Sequence, residues 1–253
     1  MRALLPALAL LAAGTLAAQA ERLASTVSTT NVEINSSFDG AALSLFGNIL
    51  PDLESPQKYV EGPYQVIIVV TGPLQDRVAR MKTNTWGIWT NAEQVLFKAF
   101  PSYYAVTASA RLDGITSSQE LQRLAILPEE QAEIAAGSNS MKARRFGAAL
   151  VRMLGKEGHL SVNEDGVRFL SDTAYTARIV LPSDVVNGAF IAHTYVFKNG
   201  ALVADKTDGF GVRKSGFERF VFLSAQQQPL LYGLACVILA LGTGWLAGVV
   251  FRR

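Results

Sequence analysis

Over most of the first half of the chain apolar and polar residues alternate with a period of two, which predicts β-strands. VEINSSFDG (32–40) and ALSLFGN (42–48) alternate and then break at glycine or asparagine. YQVIIVVTGP (64–73) is different: Val66 to Val70 is an unbroken apolar run, as expected of a strand covered on both faces, and Gly72-Pro73 ends it. RVARMKT, WGIWTN, QVLFKAF and YYAVTAS follow, with turn signals recurring about every ten residues. This spacing predicts a β-sandwich or barrel.

Near Arg111 the period lengthens to that of helices. Ser117-x-x-Glu120 is a capping box opening QELQRLAIL. Pro128 suits the first turn of a second helix, PEEQAEIAA, which Gly137 ends. A third helix is predicted from about Ser140 to Leu154, with Phe146, Ala149, Leu150, Met153 and Leu154 as its apolar stripe. Lys142, Arg145, Arg152 and Lys156 form a basic face off that stripe, which is either solvated or turned toward anionic lipid or an acidic partner. Strand signals then resume. Tyr175, Ala177, Ile179 and Leu181 alternate, and FIAHTYVFKNGALVAD carries Asn199-Gly200, a hairpin signal of the primed-turn type.

Both ends of the chain are apolar without alternation. Residues 1–20 combine Arg2, an uncharged Leu/Ala stretch and Ala18-Gln19-Ala20, the pattern of a cleaved secretory signal peptide. Leu230 to Phe251 is free of charge and, at about 1.5 Å per residue, would span about 33 Å as a helix, enough for a bilayer core. Pro229 fits its first position. Within it Ala240, Gly244 and Gly248 recur every four residues, a stripe along which another helix can approach closely.

The expected organisation is therefore a signal peptide (1–20), a β-sandwich domain (21–115), a helical segment (116–158) and a β-hairpin region (159–214). The last completes the sandwich or forms a second lobe. A juxtamembrane segment (215–228), a transmembrane helix (229–251) and a cytoplasmic tip (252–253) follow. The fold class is mainly β: an immunoglobulin-like sandwich of one or two lobes with a helical segment and one C-terminal transmembrane helix. A removed leader followed by a single span predicts a single-pass protein of a bacterial cytoplasmic (inner) membrane with its N-terminal domain in the periplasm.

Composition narrows the chemistry. Without Arg2, Arg252 and Arg253 the body holds 20 basic and 21 acidic residues, so no global positive field draws it to nucleic acid. The one cysteine, Cys236, lies in the predicted span, so no intrachain disulfide forms and the body depends on packing. Two histidines and no Cys/His cluster give no zinc or haem signature, and no cofactor is expected. His193 lies in an apolar strand and reads as structural, while His159, in a glycine loop, reads as solvated. Neither G-x-S-x-G nor a phosphate-cradling glycine motif occurs. Ser55-x-x-Lys58 precedes no helix that could hold the serine as a nucleophile. A catalytic role is not expected.

TNTWGIWTN (83–91) holds two of the three tryptophans. Alternation turns Trp86 and Ile88 to one side of a strand and Trp89 to the other, unless Gly87 marks a bulge. At least one tryptophan is expected in the core. The other is available to a binding surface, for which Trp86, Trp89, Tyr103 and Tyr104 are the candidates.

In wider context, Gly87-Ile88-Trp89-Thr90-Asn91, Val95-Leu96-Phe97 and Phe100-Pro101-Ser102-Tyr103-Tyr104-Ala105-Val106 form one block. With Phe38-Asp39-Gly40, Leu43-Ser44-Leu45-Phe46-Gly47, Thr71-Gly72-Pro73, Gln228-Pro229-Leu230-Leu231-Tyr232-Gly233 and Gly244-Trp245-Leu246-Ala247-Gly248, this block resembles the putative transmembrane protein family of alphaproteobacteria. PDLESPQKYVEGPY departs from it as a longer loop. The resemblance implies an exported β-rich body on one C-terminal span and supplies no reaction. It also implies a transport partner, a permease resembling sulfite exporters. The expected function is a non-enzymatic accessory or scaffold subunit of a membrane complex, partnered by the lipid bilayer and by a membrane protein or a second copy. The alternative is a periplasmic sensor or ligand-binding module for a small molecule or envelope component.

Overall fold

The structure is a computed structural model that describes residues 21–35, 38–53, 59–215 and 217–250. The predicted leader, the Ser55-x-x-Lys58 segment and the terminal arginines lie outside the described residues.

Val66 to Val70 organises the molecule. These residues form β4 (Tyr64–Thr71), in which Val66, Ile68 and Val70 face one core and Ile67 and Val69 another. Successive side chains of a strand point to opposite faces, so an unbroken apolar run needs cover on both sides. β4 lies inside a six-stranded sheet. Its neighbours are β7 (Tyr104–Ala108) and β8 (Leu160–Asn163) on one side. On the other are β11 (Gly188–Lys198), β12 (Ala201–Lys214) and β2 (Asn31–Ile34). A four-stranded sheet of β1 (Arg22–Val27), β3 (Ala41–Leu50), β10 (Ala174–Leu181) and β9 (Val167–Phe169) covers one face. The helices cover the other: α1 (Leu112–Ile115), α2 (Ser118–Arg123), α3 (Pro128–Ala136) and α4 (Met141–Lys156).

The mainly β, sheet-on-sheet architecture is as the sequence predicts. Strands from 159–214 are distributed over both sheets: β9 and β10 join β1 and β3, while β8, β11 and β12 join β2, β4 and β7. Two features go beyond an antiparallel sandwich. β7 and β8 pair in parallel, and β12 pairs in parallel with β2. The parallel β7–β8 pair requires a crossover, and the four helices form it, laid over the sheet's outer face.

Local signals act largely as read. Ser117 Oγ accepts the Glu120 N–H at 3.2 Å, but the Glu120 carboxylate pairs with Arg123 instead of closing the capping box, and α2 ends at Arg123. Pro128 opens α3, and Gly137 closes it in the left-handed region at φ 61°. On α4 the buried stripe is Ala143, Phe146, Gly147, Leu150 and Leu154, whereas Met153 is exposed. Asn199-Gly200 turns β11 into β12 with both φ values positive, at 52° and 84°.

After β12 the chain forms α5 (Phe217–Gln227) and α6 (Pro229–Val250). α6 is uncharged, long enough to cross a bilayer, and none of its residues is buried by the described part of the chain. β4 and β12 both pair antiparallel with β11, so their C-terminal ends lie at the same end of the six-stranded sheet. From that end β4 feeds the segment carrying the tryptophans, and β12 feeds the membrane helix.

Candidate functional site

Pro73 and Pro101 stand where the chain leaves the large sheet. Neither has an N–H to extend a ladder. Gly72 N–H donates to Tyr103 O and Ser102 N–H to Pro73 O, at 2.8 and 2.9 Å, which clamps the base. Gly72 permits this closeness, since a Cβ there would lie 2.9 Å from the Phe190 ring. Beyond the clamp β5 (Leu74–Thr85) and β6 (Ile88–Pro101) pair only with each other, as a separate two-stranded sheet. The sequence predicts these segments as sandwich strands; the prolines and a register irregularity at Gln75–Arg77 divert them instead.

The lower part of this hairpin is well packed. Phe97 and Phe100 are fully buried, meet edge to face at 6.4 Å and join the helix-side core. Ala79, Met81 and Val95 pack against the same core more loosely. A Cβ on Gly147 of α4 would meet Ala132 at 3.2 Å and Phe97 at 3.8 Å, so this glycine sets how closely helix and hairpin approach.

Past Met81 and Val95 that cover ends. Trp86 is 97% exposed, and Ile88 and Trp89 are each 66% exposed. The core position expected for one of these tryptophans is not found, because nothing among the described residues folds over the tip. The turn is a two-residue loop, Trp86-Gly87, closed by the Thr85–Ile88 pair. Its φ values are 57° and 84°, and Asn84 Oδ1 accepts the Gly87 N–H at 2.9 Å. A tryptophan in the left-handed region is sterically disfavoured, and such a turn favours Asn or Asp in its place. Trp89 pairs with Asn84 in the ladder and Ile88 with Thr85, so Trp89 and Ile88 stand on opposite faces.

The basic face of α4 meets the hairpin at the edge of its packed part. Arg145 Nη2 donates to Met81 Sδ at 2.7 Å, and Lys142 Nζ lies 4.0 Å from Glu93 Oε2. Arg152 and Lys156 are exposed further along the helix. The α4 cations thus meet the same hairpin as the tryptophans, at Met81 and Glu93, short of its tip.

Tyr103 and Tyr104 stand elsewhere. Each is 2% exposed, and alternation sends them to opposite faces of the large sheet. Tyr103 OH donates to Val180 O at 2.9 Å, and Tyr104 OH to the carbonyls of Ala125 and Ile126 at 3.0 and 2.9 Å. Burial holds both phenols well above the ordinary tyrosine range. The structure does not bring the four aromatic candidates onto one surface. On α6, Ala240, Gly244 and Gly248 are all exposed, and a Cβ on either glycine would meet nothing within 4 Å.

His193 has structural partners: Asp205 Oδ2 at 2.9 Å, and the Tyr195 hydroxyl, which donates to Nδ1 at 3.1 Å. His159, read as solvated, is instead buried, with Nε2 3.1 Å from Asp184 Oδ2. Its carbonyl accepts the Tyr104 N–H, which starts the parallel β7–β8 pairing and draws the residue inward. Among the described residues no three His, Cys, Asp or Glu side chains are grouped to hold a metal ion.

The profile of the family described as "Putative transmembrane protein" matches residues 22–253, taking in body, hairpin and C-terminal helix. The chain belongs to this family. Comparison with curated proteins finds no match. The family is that of a membrane protein with one C-terminal apolar helix, and the tip carries no titratable side chain between Lys82 and Glu93. What the tip offers is ring surface, two indole N–H donors and an aliphatic side chain.

Proposed function

We propose that the protein is a non-enzymatic accessory subunit of a bacterial cytoplasmic-membrane complex, with its β-rich body in the periplasm and α6 crossing the bilayer once. The observation that carries this reading is where apolar surface is left uncovered. The body closes its apolar residues into two packed cores. Exposed large apolar side chains are densest on α6 and form a smaller group, Trp86, Ile88 and Trp89, at the β5–β6 tip; others, among them Leu53, Tyr59, Ile134, Leu170 and Val180, are scattered over the body. Exposed patches of that kind mark contact surfaces. A ligand module built on all four aromatic candidates has no comparable support, because the tyrosines are interior.

The partner is another membrane protein, a permease as the family resemblance implies. It meets α6 along Ala240, Gly244 and Gly248, where missing side chains let helices approach and packing drives association in lipid. Affinity purification of the full chain in mild detergent tests this. A stoichiometric membrane partner is expected with the natural sequence and not with Gly244→Leu combined with Gly248→Leu. Recovery of monomer alone, or a partner retained by that variant, contradicts the proposal. Protease treatment of spheroplasts tests the orientation: the body should be digested.

A further inference from the structure

We infer that the β5–β6 tip is a second membrane contact, seating Trp86, Ile88 and Trp89 in the headgroup layer of the same anionic bilayer that α6 crosses. This goes beyond the proposed partner, since it uses another surface and another class of ligand.

Three independent observations converge on lipid. The first is the chemistry of the tip. Residues 83–92 are uncharged, and two indoles with an isoleucine stand exposed among threonine and asparagine. Tryptophan concentrates at membrane–water interfaces because its ring is apolar and its N–H polar. Both edges of the two-stranded tip carry backbone groups that need water or headgroup partners, which limits it to shallow entry.

The second is charge. The whole body is near neutral, yet the hairpin carries Arg77, Arg80, Lys82 and Lys98 against Asp76 and Glu93. Beside it α4 adds Lys142 and Arg145, with Arg144 paired to Glu133 of α3, and has no acidic residue from Met141 to Lys156, whereas α3 carries Glu129, Glu130 and Glu133. Lys142 and Arg145 reach the hairpin where its exposed part begins. An uncharged aromatic tip with a basic collar is complementary to an anionic interface.

The third is reach. The hairpin and the route to the span leave the same end of the six-stranded sheet. Between β12 and α6 the chain has α5, 11 residues long, about 16 Å as a helix. From Pro73 to Trp86 the hairpin extends up to roughly 40 Å. The hairpin is thus rooted at the end of the sheet from which the chain runs to the span, and it is longer than the helix that links the body to that span. The left-handed backbone at Trp86 fits this role: the turn accepts an unfavourable residue in order to place an indole at the extreme tip.

The test uses the full chain in lipid nanodiscs, with Trp245→Phe so that emission reports only Trp86 and Trp89. In phosphatidylglycerol–phosphatidylcholine discs the emission should shift to the blue, and it should be quenched more by lipids brominated near the headgroup than by those brominated at the chain end. Lys142→Glu with Arg145→Glu, or discs of phosphatidylcholine alone, should lose much of that quenching. Emission that stays water-like and unquenched in anionic discs overturns the inference. So does a blue shift indifferent to brominated lipid, which would mean that protein, a partner or a second copy, covers the tip. Trp86→Ser with Trp89→Ser should keep the natural circular dichroism and lose the signal; collapse of that variant would show the rings to be part of the fold and would also overturn it.

Discussion

Two hairpins in this chain turn through the same backbone geometry with different residues. β11–β12 turns at Asn199-Gly200 with φ values of 52° and 84°; β5–β6 turns at Trp86-Gly87 with 57° and 84°. The first has the residue the turn favours, and both its strands lie within the six-stranded sheet. The second has a residue that resists the turn, and its tip is left exposed by the described residues of the body. Where a local sequence choice serves folding it agrees with the backbone; where it opposes the backbone, a role outside the fold is the physical explanation. The same division separates the buried tyrosines, which hold the two cores, from the tryptophans, which leave them.

The contrast breaks most visibly in the cores. Phe197, fully buried near the end of β11, should cost about 3–5 kcal/mol as Phe197→Ala. Trp89→Ala should stay within about 0.5 kcal/mol, as exposed substitutions do. Urea unfolding of the two variants in one detergent checks both values.

Alkaline pH acts on the same asymmetry. Burial pushes the Tyr175 phenol from its ordinary 10 up to about 12, and it holds Tyr103 and Tyr104 higher. The unfolded chain releases these protons from about pH 10 while the folded one retains them. Their contribution to stability is therefore complete below pH 10 and declines as pH rises through 12, roughly 2–3 kcal/mol for Tyr175 alone. Circular dichroism melts between pH 8 and 12, with Tyr175→Phe as reference, measure it. The β5–β6 hairpin contains no tyrosine and contributes nothing to this loss.

Exchanging the turn residues is a smaller test. Asn199→Trp should destabilise by about 1–2 kcal/mol, the cost of a left-handed backbone without a local side-chain hydrogen bond. Trp86→Asn should raise stability by up to about 1 kcal/mol and reduce the lipid-dependent emission of the tip to that of Trp89. Denaturation midpoints and the nanodisc fluorescence read the two effects separately.

Much of the architecture is legible from pattern alone. The Val66–Val70 run marks the doubly covered strand, Asn199-Gly200 the β11–β12 hairpin, Pro128 and Gly137 a helix, and Leu230–Phe251 the apolar helix found over Pro229–Val250. What period cannot reveal is which strands pair. The diversion of β5–β6 depends on two prolines 28 residues apart that meet only in three dimensions, so its strands read as ordinary sandwich strands. Position relative to other elements likewise decided His159, Tyr103 and Tyr104. For the candidate site, the sequence marks two groups of residues, Trp86 and Trp89 on the one hand and Lys142 and Arg145 on the other. Their meeting at one hairpin follows from the helix–hairpin packing at Phe97 and Gly147, for which no short-range signal exists.

The most direct measurement of the account is amide hydrogen exchange on the full chain in anionic and in zwitterionic nanodiscs, with the two hairpins compared within one molecule. Slowed exchange over residues 83–91 in the anionic discs alone, with the turn at 199–200 unchanged, is the result expected if the tip rests on the membrane. Equal exchange over residues 83–91 in both lipids would contradict it.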